Sequence, residues 1–451
     1  MEYTPFSLLI DVGWISILMV IGNVLRRTVP WFQQLLLPSP IIGGLLGLLL
    51  GPGALGWIGF SENMGDYTTI LIAAVFASMP FSMVFDRSVR SGAKTMWSYS
   101  AGMFMIQWGL FILLGIFLFK PVWGTEDWFG MMLPTGFIGG FGTAAAVGSS
   151  LDAAGADGVA SSLGFTSATV GTLAAIVGGV IFANWGIRPG RASTVPGVLP
   201  KEMRSGYISE QEARPSIGKA TTNPSSIEAV TLHVGVIALV IMIAYYVNDL
   251  IKDFFPAVSI PLFAMSFVVG IVVKLLMNMV GARDYLDRDT VNSVSGGATD
   301  YLIAFGIASI IPSAIADYLV PLVILFVLGT VWCTLFFFIA SPIYFGKNWL
   351  ERGLFGWGWA TAAVATGIAL LKIVDPKMKS GTLNEYGVAY IGFAPFEIGM
   401  TIVAPIAALA GWTMGLGIVS TVIAVAVLAT PFVFRWLPGH TQDEARRKIT
   451  G

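Results

Sequence analysis

Charge is scarce in this chain. Asp, Glu, Lys and Arg make up 11 % of its 451 residues, where a soluble domain carries about 25 %. With 55 % hydrophobic residues and a mean hydropathy of +0.79, that shortage excludes a soluble globular protein and leaves one polytopic membrane domain. The net charge of −1 says nothing about nucleic acid, and no basic patch or motif supports such a partner. One cysteine excludes an intrachain disulfide; Cys333 lies in an apolar run and reads as a small core or lipid-facing residue. The two histidines, His233 and His440, have no metal-ligand spacing. No Walker loop, nucleophile–base–acid set or cysteine–histidine cluster is present, so an enzyme has no motif to stand on. The first residues lack a positive n-region and a small-residue cleavage site, so 6–25 reads as a retained span rather than a signal peptide.

What is present is a succession of apolar runs, each near the roughly 20 residues a helix needs to cross a bilayer. They predict spans at 6–25, 33–51, 66–85, 95–119 and 158–185, then 228–251, 258–278, 297–315, 318–345 and 385–410, and a last at 412–436. Pro38 and Pro40 break the second early, before Gly43 and Gly44; Pro256 and Pro261 mark its counterpart. Trp57, Trp97, Trp123, Trp349, Trp412 and Trp436 fall near span ends, as interfacial anchors do.

Two further apolar segments, 128–150 and 350–371, are rich in glycine. The first contains Gly-Phe-Ile-Gly-Gly-Phe-Gly-Thr-Ala-Ala-Ala-Val-Gly from Gly136, the second Gly-Leu-Phe-Gly-Trp-Gly-Trp-Ala-Thr-Ala-Ala from Gly353. Setting Thr143 on Thr361 places Gly140 on Gly358. Positive charge decides how they thread. On the map above, 23 of the 25 Lys and Arg share one side, and only Lys120 and Lys252 fall on the other. The positive-inside rule makes the rich side cytoplasmic, with the N-terminus outside and the C-terminus inside. Single crossings at 128–150 and 350–371 would export many of those charges, and each is too short to cross twice. They read as re-entrant hairpins entering from opposite faces.

The expected architecture is an all-α integral membrane protein, an inverted repeat of two five-span halves with one hairpin each, plus an extra C-terminal span. The first repeat covers 1–185, a polar, proline-bearing and flexible cytoplasmic linker 186–227, the second repeat 228–411, and the extra helix and tail 412–451.

Backbone can leave the helix at membrane depth only where protein buries it or it lines a wet cavity, so paired broken segments point to a transporter's site. Gly139, Gly140 and Gly142 permit close backbone approach, and a helix starting there offers free N–H groups to an anion. No Lys or Arg lies in either hairpin core, 134–150 or 354–371, so an anionic substrate is held by N–H groups, hydroxyls or a co-bound cation; a less charged substrate fits equally. Ser161, Ser162, Thr166, Ser167, Thr169 and Thr172 line the fifth span; Glu397 and Thr401 lie in its counterpart. Hydroxyls, carbonyls and a carboxylate suit sodium, and an intramembrane carboxylate such as Glu397 is a functional candidate, as cation ligand or proton carrier. Asp11 lies near the outer end of the first span and can snorkel; Asp152, Asp157, Asp300 and Asp317 read as solvated.

The runs Pro38-Ser-Pro40-Ile-Ile-Gly43-Gly44, Gly139-Gly-Phe-Gly-Thr143 and Gly353-Leu-Phe-Gly-Trp-Gly358 with Ala360-Thr361 resemble the bacterial sodium/glutamate symporters of the ESS family. The resemblance covers residues 1 to about 410. It implies a homodimer in the bacterial inner membrane, with a mobile core carrying both hairpins past a fixed scaffold, sodium coupling and an acidic amino acid substrate. By the same resemblance Gly139, Gly140, Phe141, Gly142 and Thr143, with Gly356, Trp357, Gly358, Trp359 and Thr361, face the substrate. Ser167, Thr169, Thr172, Glu397 and Thr401 remain the ion-coupling candidates. The chain departs from the pattern at Phe141 and Leu354, where the family favours histidine. The expectation is a sodium-coupled carrier of a small carboxylate-bearing solute, glutamate or a related amino acid, with no organic cofactor. The alternatives are proton coupling through Glu397 and a passive channel.

Overall fold

The structure, a computed structural model, describes residues 4–34, 37–82, 91–186, 202, 205–209, 214–254, 260–375 and 378–437. Among them there is helix and no strand. The principal helices are α1 (Pro5–Thr28), α2 (Ser39–Leu50), α3 (Met64–Ser82) and α4 (Ser91–Leu114, continuing through a π-helical turn to Trp123). Then follow α5 (Met132–Gly136), α6 (Gly140–Leu151) and α7 (Val159–Gly186). The rest are α8 (Ala229–Phe254), α9 (Leu262–Met279), α10 (Arg288–Ala308), α11 (Leu319–Phe345), α12 (Trp349–Thr361), α13 (Val364–Val374), α14 (Thr382–Leu409) and α15 (Thr413–Val433). Nine stretches among the described residues are long and apolar enough to cross a membrane, so the chain is a multi-pass membrane protein.

Local chemistry sets the ends. Thr4 caps α1 through a reciprocal pair with Ser7, and Pro5 pre-sets the first turn. Pro38 before α2 and Pro261 before α9 hold nearly identical backbone angles, φ −58, ψ 139 and φ −59, ψ 140. Two expected spans come out differently. The second, 33–51, is a helix of 12 residues, about 18 Å long at 1.5 Å per residue and too short to cross alone. The eighth, 297–315, is replaced by α10: Asp287 accepts from Thr290 N at 2.9 Å and starts that helix early. It ends at Ala308, before Pro312 opens a separate short helix.

The helices pack as two groups. The first three of each half, α1–α3 and α8–α10, form one. There α2 threads between α1 and α10 on small residues: a Cβ on Gly43 would lie 2.9 Å from Met19 N, and one on Gly44 would lie 3.0 Å from Ala304 O. Phe76 and Phe263 join α3 to α9, edge to face at 4.9 Å. The other group holds α4, α7, α11 and α14 around the two broken segments. α15 is fastened here, where Gly102 and Gly109 of α4 let Leu428 and Thr421 close in and Ser98 donates to Val427 O at 2.6 Å.

Several expected loop and surface residues are structural instead. Asp11 is 1 % exposed; it accepts from Ser61 N at 3.1 Å, Tyr67 OH at 3.0 Å and the Ser61 hydroxyl, which ties α1 to α3 and the segment before it. Asp152, expected in solvent, is half-buried and accepts from Ala160 N at 3.0 Å and Ser161 N at 3.1 Å, capping α7. Burial raises its carboxyl above the ordinary range, against the backbone N–H groups that hold it down. The linker is not free throughout. Lys219 N donates to Asp287 Oδ2 at 3.0 Å, Thr221 to Tyr285 O at 2.8 Å and Ser293 to Ile217 O at 2.6 Å, which fastens it to the start of α10. The rest of the linker lies largely outside the described residues, as does His440.

Candidate functional site

Both glycine-rich segments are helix–break–helix, and the breaks meet. In the first, α5 stops at Gly136. Phe137 N donates to Leu133 O at 2.8 Å, Gly139 N to Pro134 O at 2.9 Å, and Gly140 at φ +65 turns the chain into α6. Only this glycine of the tip needs the left-handed region. In the second, Ala362 leaves the helix at φ −149, ψ −81 and Ala363 is extended at φ −159, ψ 161, and both N–H groups fall back on Gly358 O. This break lies after Thr361, later than the glycines that sequence alignment placed at the tip. Setting Thr143 on Thr361 therefore pairs a residue of a second arm with the last residue of a first arm.

A Cβ on Gly140 would lie 3.0 Å from Ala362 O. A Cβ on Gly171, midway along α7, would collide with Thr361 O and lie 2.8 Å from Phe137 Cδ1. One bare helix position thus carries both breaks. Each break leaves the first N–H groups of a new helix, α6 or α13, without intrahelical acceptors. It also leaves the carbonyl end of α5 or α12 facing the opposite way, so the junction offers positive and negative dipole ends together.

Of the predicted substrate-facing residues, Thr143 approaches Thr401, hydroxyl to hydroxyl, at 3.4 Å. Thr401 also donates to Glu397 O at 2.8 Å, and Tyr390 OH donates to Glu397 Oε2 at 3.0 Å. The hairpin hydroxyl thus reaches the backbone of Glu397, while the half-buried Glu397 carboxylate is held by Tyr390 within α14. Phe141 joins Ile72, Phe76, Ala394 and Ile398 in an apolar cluster, and Gly142 lies against Ile72. Gly139 packs on its own turn, with Thr135 O and Thr143 closest. On the second segment Gly356 admits Tyr99, and Gly358 admits Gly367 of the other arm. The Thr361 hydroxyl returns to Trp357 O at 2.6 Å. Both indoles are 2 % exposed and engaged in packing: Trp357 donates to Ala175 O at 2.9 Å, and Trp359 meets Phe393 edge to face. Ser167 donates to Leu133 O at 3.3 Å, while Thr169 and Thr172 donate to Phe165 O and Ala168 O of their own helix.

A cavity of about 1060 Å³ lies in the seam between the two helix groups. Met79 and Pro80 of α3, Lys274 and Asn278 of α9, and Arg288 and Asn292 of α10 form one wall; Val364 at the start of α13 and Tyr390, Ala394 and Ile398 of α14 form the other. Among the described residues its charged lining residues are Lys274 and Arg288, both positive. Lys274 Nζ donates to Pro80 O at 2.7 Å. A smaller cavity of about 270 Å³, lined by Ser149, Ser150, Asn248, Asp249 and Lys252, lies elsewhere in the same seam.

Sequence reasoning passed over Tyr390 and Gln107. Gln107 is a fully buried amide in an otherwise apolar stretch of α4, and its Nε2 donates to Ala360 O at 3.2 Å. Its signal was available: a lone amide at membrane depth needs partners.

A family model described as "Sodium/glutamate symporter" matches residues 7–375. The proteins of that name from Escherichia coli (strain K12) and Shigella flexneri are each 23 % identical to this chain over 380 residues, which cover 80 % of this chain and 87 % of each relative.

Proposed function

This chain belongs to the sodium/glutamate symporter family, and from that premise we propose that it carries glutamate, or a closely related acidic amino acid, across the membrane together with sodium. It is a transporter and not an enzyme. The observation that carries the substrate reading is the junction of the two breaks, with Gly140 against Ala362 O, beside a cavity that reaches Val364 at the start of α13 and whose charged lining residues, among those described, are Lys274 and Arg288. A positive approach favours an anion, and the N–H ends of α6 and α13 can receive its carboxylates without a Lys or Arg in the hairpin cores 134–150 and 354–371.

The order of elements supports an inverted repeat. In each half a long helix, a proline-capped helix, two more long helices, a broken segment and a final long helix follow in turn, and the caps at Pro38 and Pro261 match. On this reading the broken segments re-enter from opposite faces. The chain makes about eleven passes, and the distribution of Lys and Arg puts the N-terminus outside and the C-terminus in the cytoplasm of a bacterial inner membrane. The two helix groups supply an elevator: α4–α7 and α11–α15 slide as a unit against α1–α3 and α8–α10, which hold the partner subunit in a homodimer. The cavity seam between the groups is the surface along which they move.

Glu397 supports a second reading of the coupling. Tyr390 OH donates to its Oε2 at 3.0 Å, and an intramembrane carboxylate suits a group that takes up sodium or a proton. Thermal stability of the purified protein, with sodium or potassium and a panel of amino acids and dicarboxylates, tests these readings because a ligand that binds the folded state raises its stability. A shift with glutamate that requires sodium is the expected result. A glutamate shift that ignores sodium and follows pH transfers coupling to a proton on Glu397; no shift with any acid removes the substrate class. Saturating, trans-stimulated flux excludes the channel alternative.

A further inference from the structure

We infer that Gln107 and Thr135 hold the coupling cation, between the carbonyl ends of α12 and α5. The inference rests on the sodium-coupled reading above and names residues for it.

Gln107 and Thr135 are both 0 % exposed. Gln107 Nε2 donates to Ala360 O and Cys333 Sγ, each at 3.2 Å, while its Oε1 has no hydrogen-bond partner. Turning the amide over does not remedy this, because it would set Oε1 against the Ala360 carbonyl, acceptor against acceptor. The oxygen is therefore held in place without a donor, and buried acceptors in native proteins are nearly always matched. Thr135 Oγ1 is likewise without a partner. Other hydroxyls in this core, those of Thr169, Thr172 and Thr401, return to the carbonyl four residues earlier. Thr135 does not, so its oxygen stays uncommitted.

Chain register puts the two at one depth. α4 and the stretch leading into α5 run antiparallel through a short connection and touch where Gly130 abuts Phe111 O. One turn further along each strand of that pair lie Gln107 and Pro134, next to Thr135. Ala360, which Gln107 holds, is the residue before the last of α12; Thr135 is the residue before the last of α5. The α12 arm therefore ends at Gln107 and, by this register, the α5 arm ends at the same depth; a helix ends on its negative, carbonyl pole. Two negative poles and two uncommitted neutral oxygens, in a region without Lys or Arg, are matched by a small dehydrated cation with hard oxygen ligands. The substrate's carboxylates take the opposite poles, the N–H ends of α6 and α13.

The test is a sodium titration of thermal stability in detergent without substrate, choline chloride keeping the ionic strength constant. It compares the wild type with Gln107→Met, which keeps the length and removes the oxygen, and with Thr135→Val, which keeps the shape. Half-saturating sodium is expected to rise at least about 10-fold in each variant, equivalent to about 1.4 kcal/mol. If Gln107→Met fails to fold, Thr135→Val decides alone. Sodium stabilisation that is present in the wild type and unchanged in the variants overturns the site while leaving sodium coupling standing. A wild type that binds glutamate and shows no response to sodium overturns the coupling reading and this site with it.

Discussion

Gly171 carries both helix breaks, and replacing it with alanine exposes what the junction does. The added Cβ meets Thr361 O and Phe137 Cδ1, the latter at 2.8 Å where ordinary contact begins at 3.4 Å, so Phe137 must retreat by about 0.6 Å and the Thr361 carbonyl further. Such overpacking costs about 1–3 kcal/mol. Alanine returns about 0.5–1 kcal/mol relative to glycine inside a helix, so the net loss of stability is at most about 2.5 kcal/mol and the protein folds. The displacement falls on the carbonyl of one break and the turn of the other, together. Glutamate uptake into proteoliposomes is expected to drop more than tenfold. Gly235→Ala is the control: nothing lies within 4 Å of its Cβ position on the exposed face of α8, so it should gain about 0.5–1 kcal/mol of stability and transport normally. Uptake by Gly171→Ala equal to that of Gly235→Ala would refute the claim that the breaks form the site.

Gly140→Val forces a β-branched residue to φ +65 against Ala362 O; it should abolish uptake while the protein still reaches the membrane, as blotting of membrane fractions will show. Glu397→Gln should alter the ion dependence of uptake more than the melting temperature, and an unchanged ion dependence would make it a structural partner of Tyr390. Asp11→Ala removes the acceptor of the Ser61 N–H and of the Tyr67 and Ser61 hydroxyls and should cost about 1.5–3 kcal/mol by denaturation, with transport per folded molecule intact. Asp287 is held below the ordinary carboxylate range chiefly by the Thr290 and Lys219 N–H groups. The stability it contributes as the cap of α10 is present above that range and is lost as pH falls through its depressed value. Asp287→Ala should therefore cost about 0.5–2 kcal/mol at neutral pH, with the gap to the wild type closing in acid.

The parts of this molecule that were legible in its sequence are those written in hydrophobic length and charge. Long apolar runs gave α1, α8, α11 and α15 close to their observed bounds, because nothing else satisfies backbone in lipid. Buried polar cost was less legible. Asp11 and Asp152 looked exposed because their partners, Ser61 and Ser161 among them, are joined to them by the fold. α10 carries three charged residues, Arg288, Asp289 and Asp300, with Asp284 and Asp287 just before it, so hydropathy placed that span late. The second break was misplaced because glycine marked it: in α12 the glycines serve close packing with Tyr99 and Gly367, while two alanines make the turn. Gln107 shows the same limit, since its importance lies in Ala360, more than 250 positions away in the chain.

The most direct test of the central claim is uptake of labelled L-glutamate by the purified protein in sealed proteoliposomes under an imposed sodium gradient. The account predicts accumulation against the glutamate gradient that collapses when sodium is equalised or replaced by potassium. Accumulation that persists without a sodium gradient and follows an imposed proton gradient would contradict it.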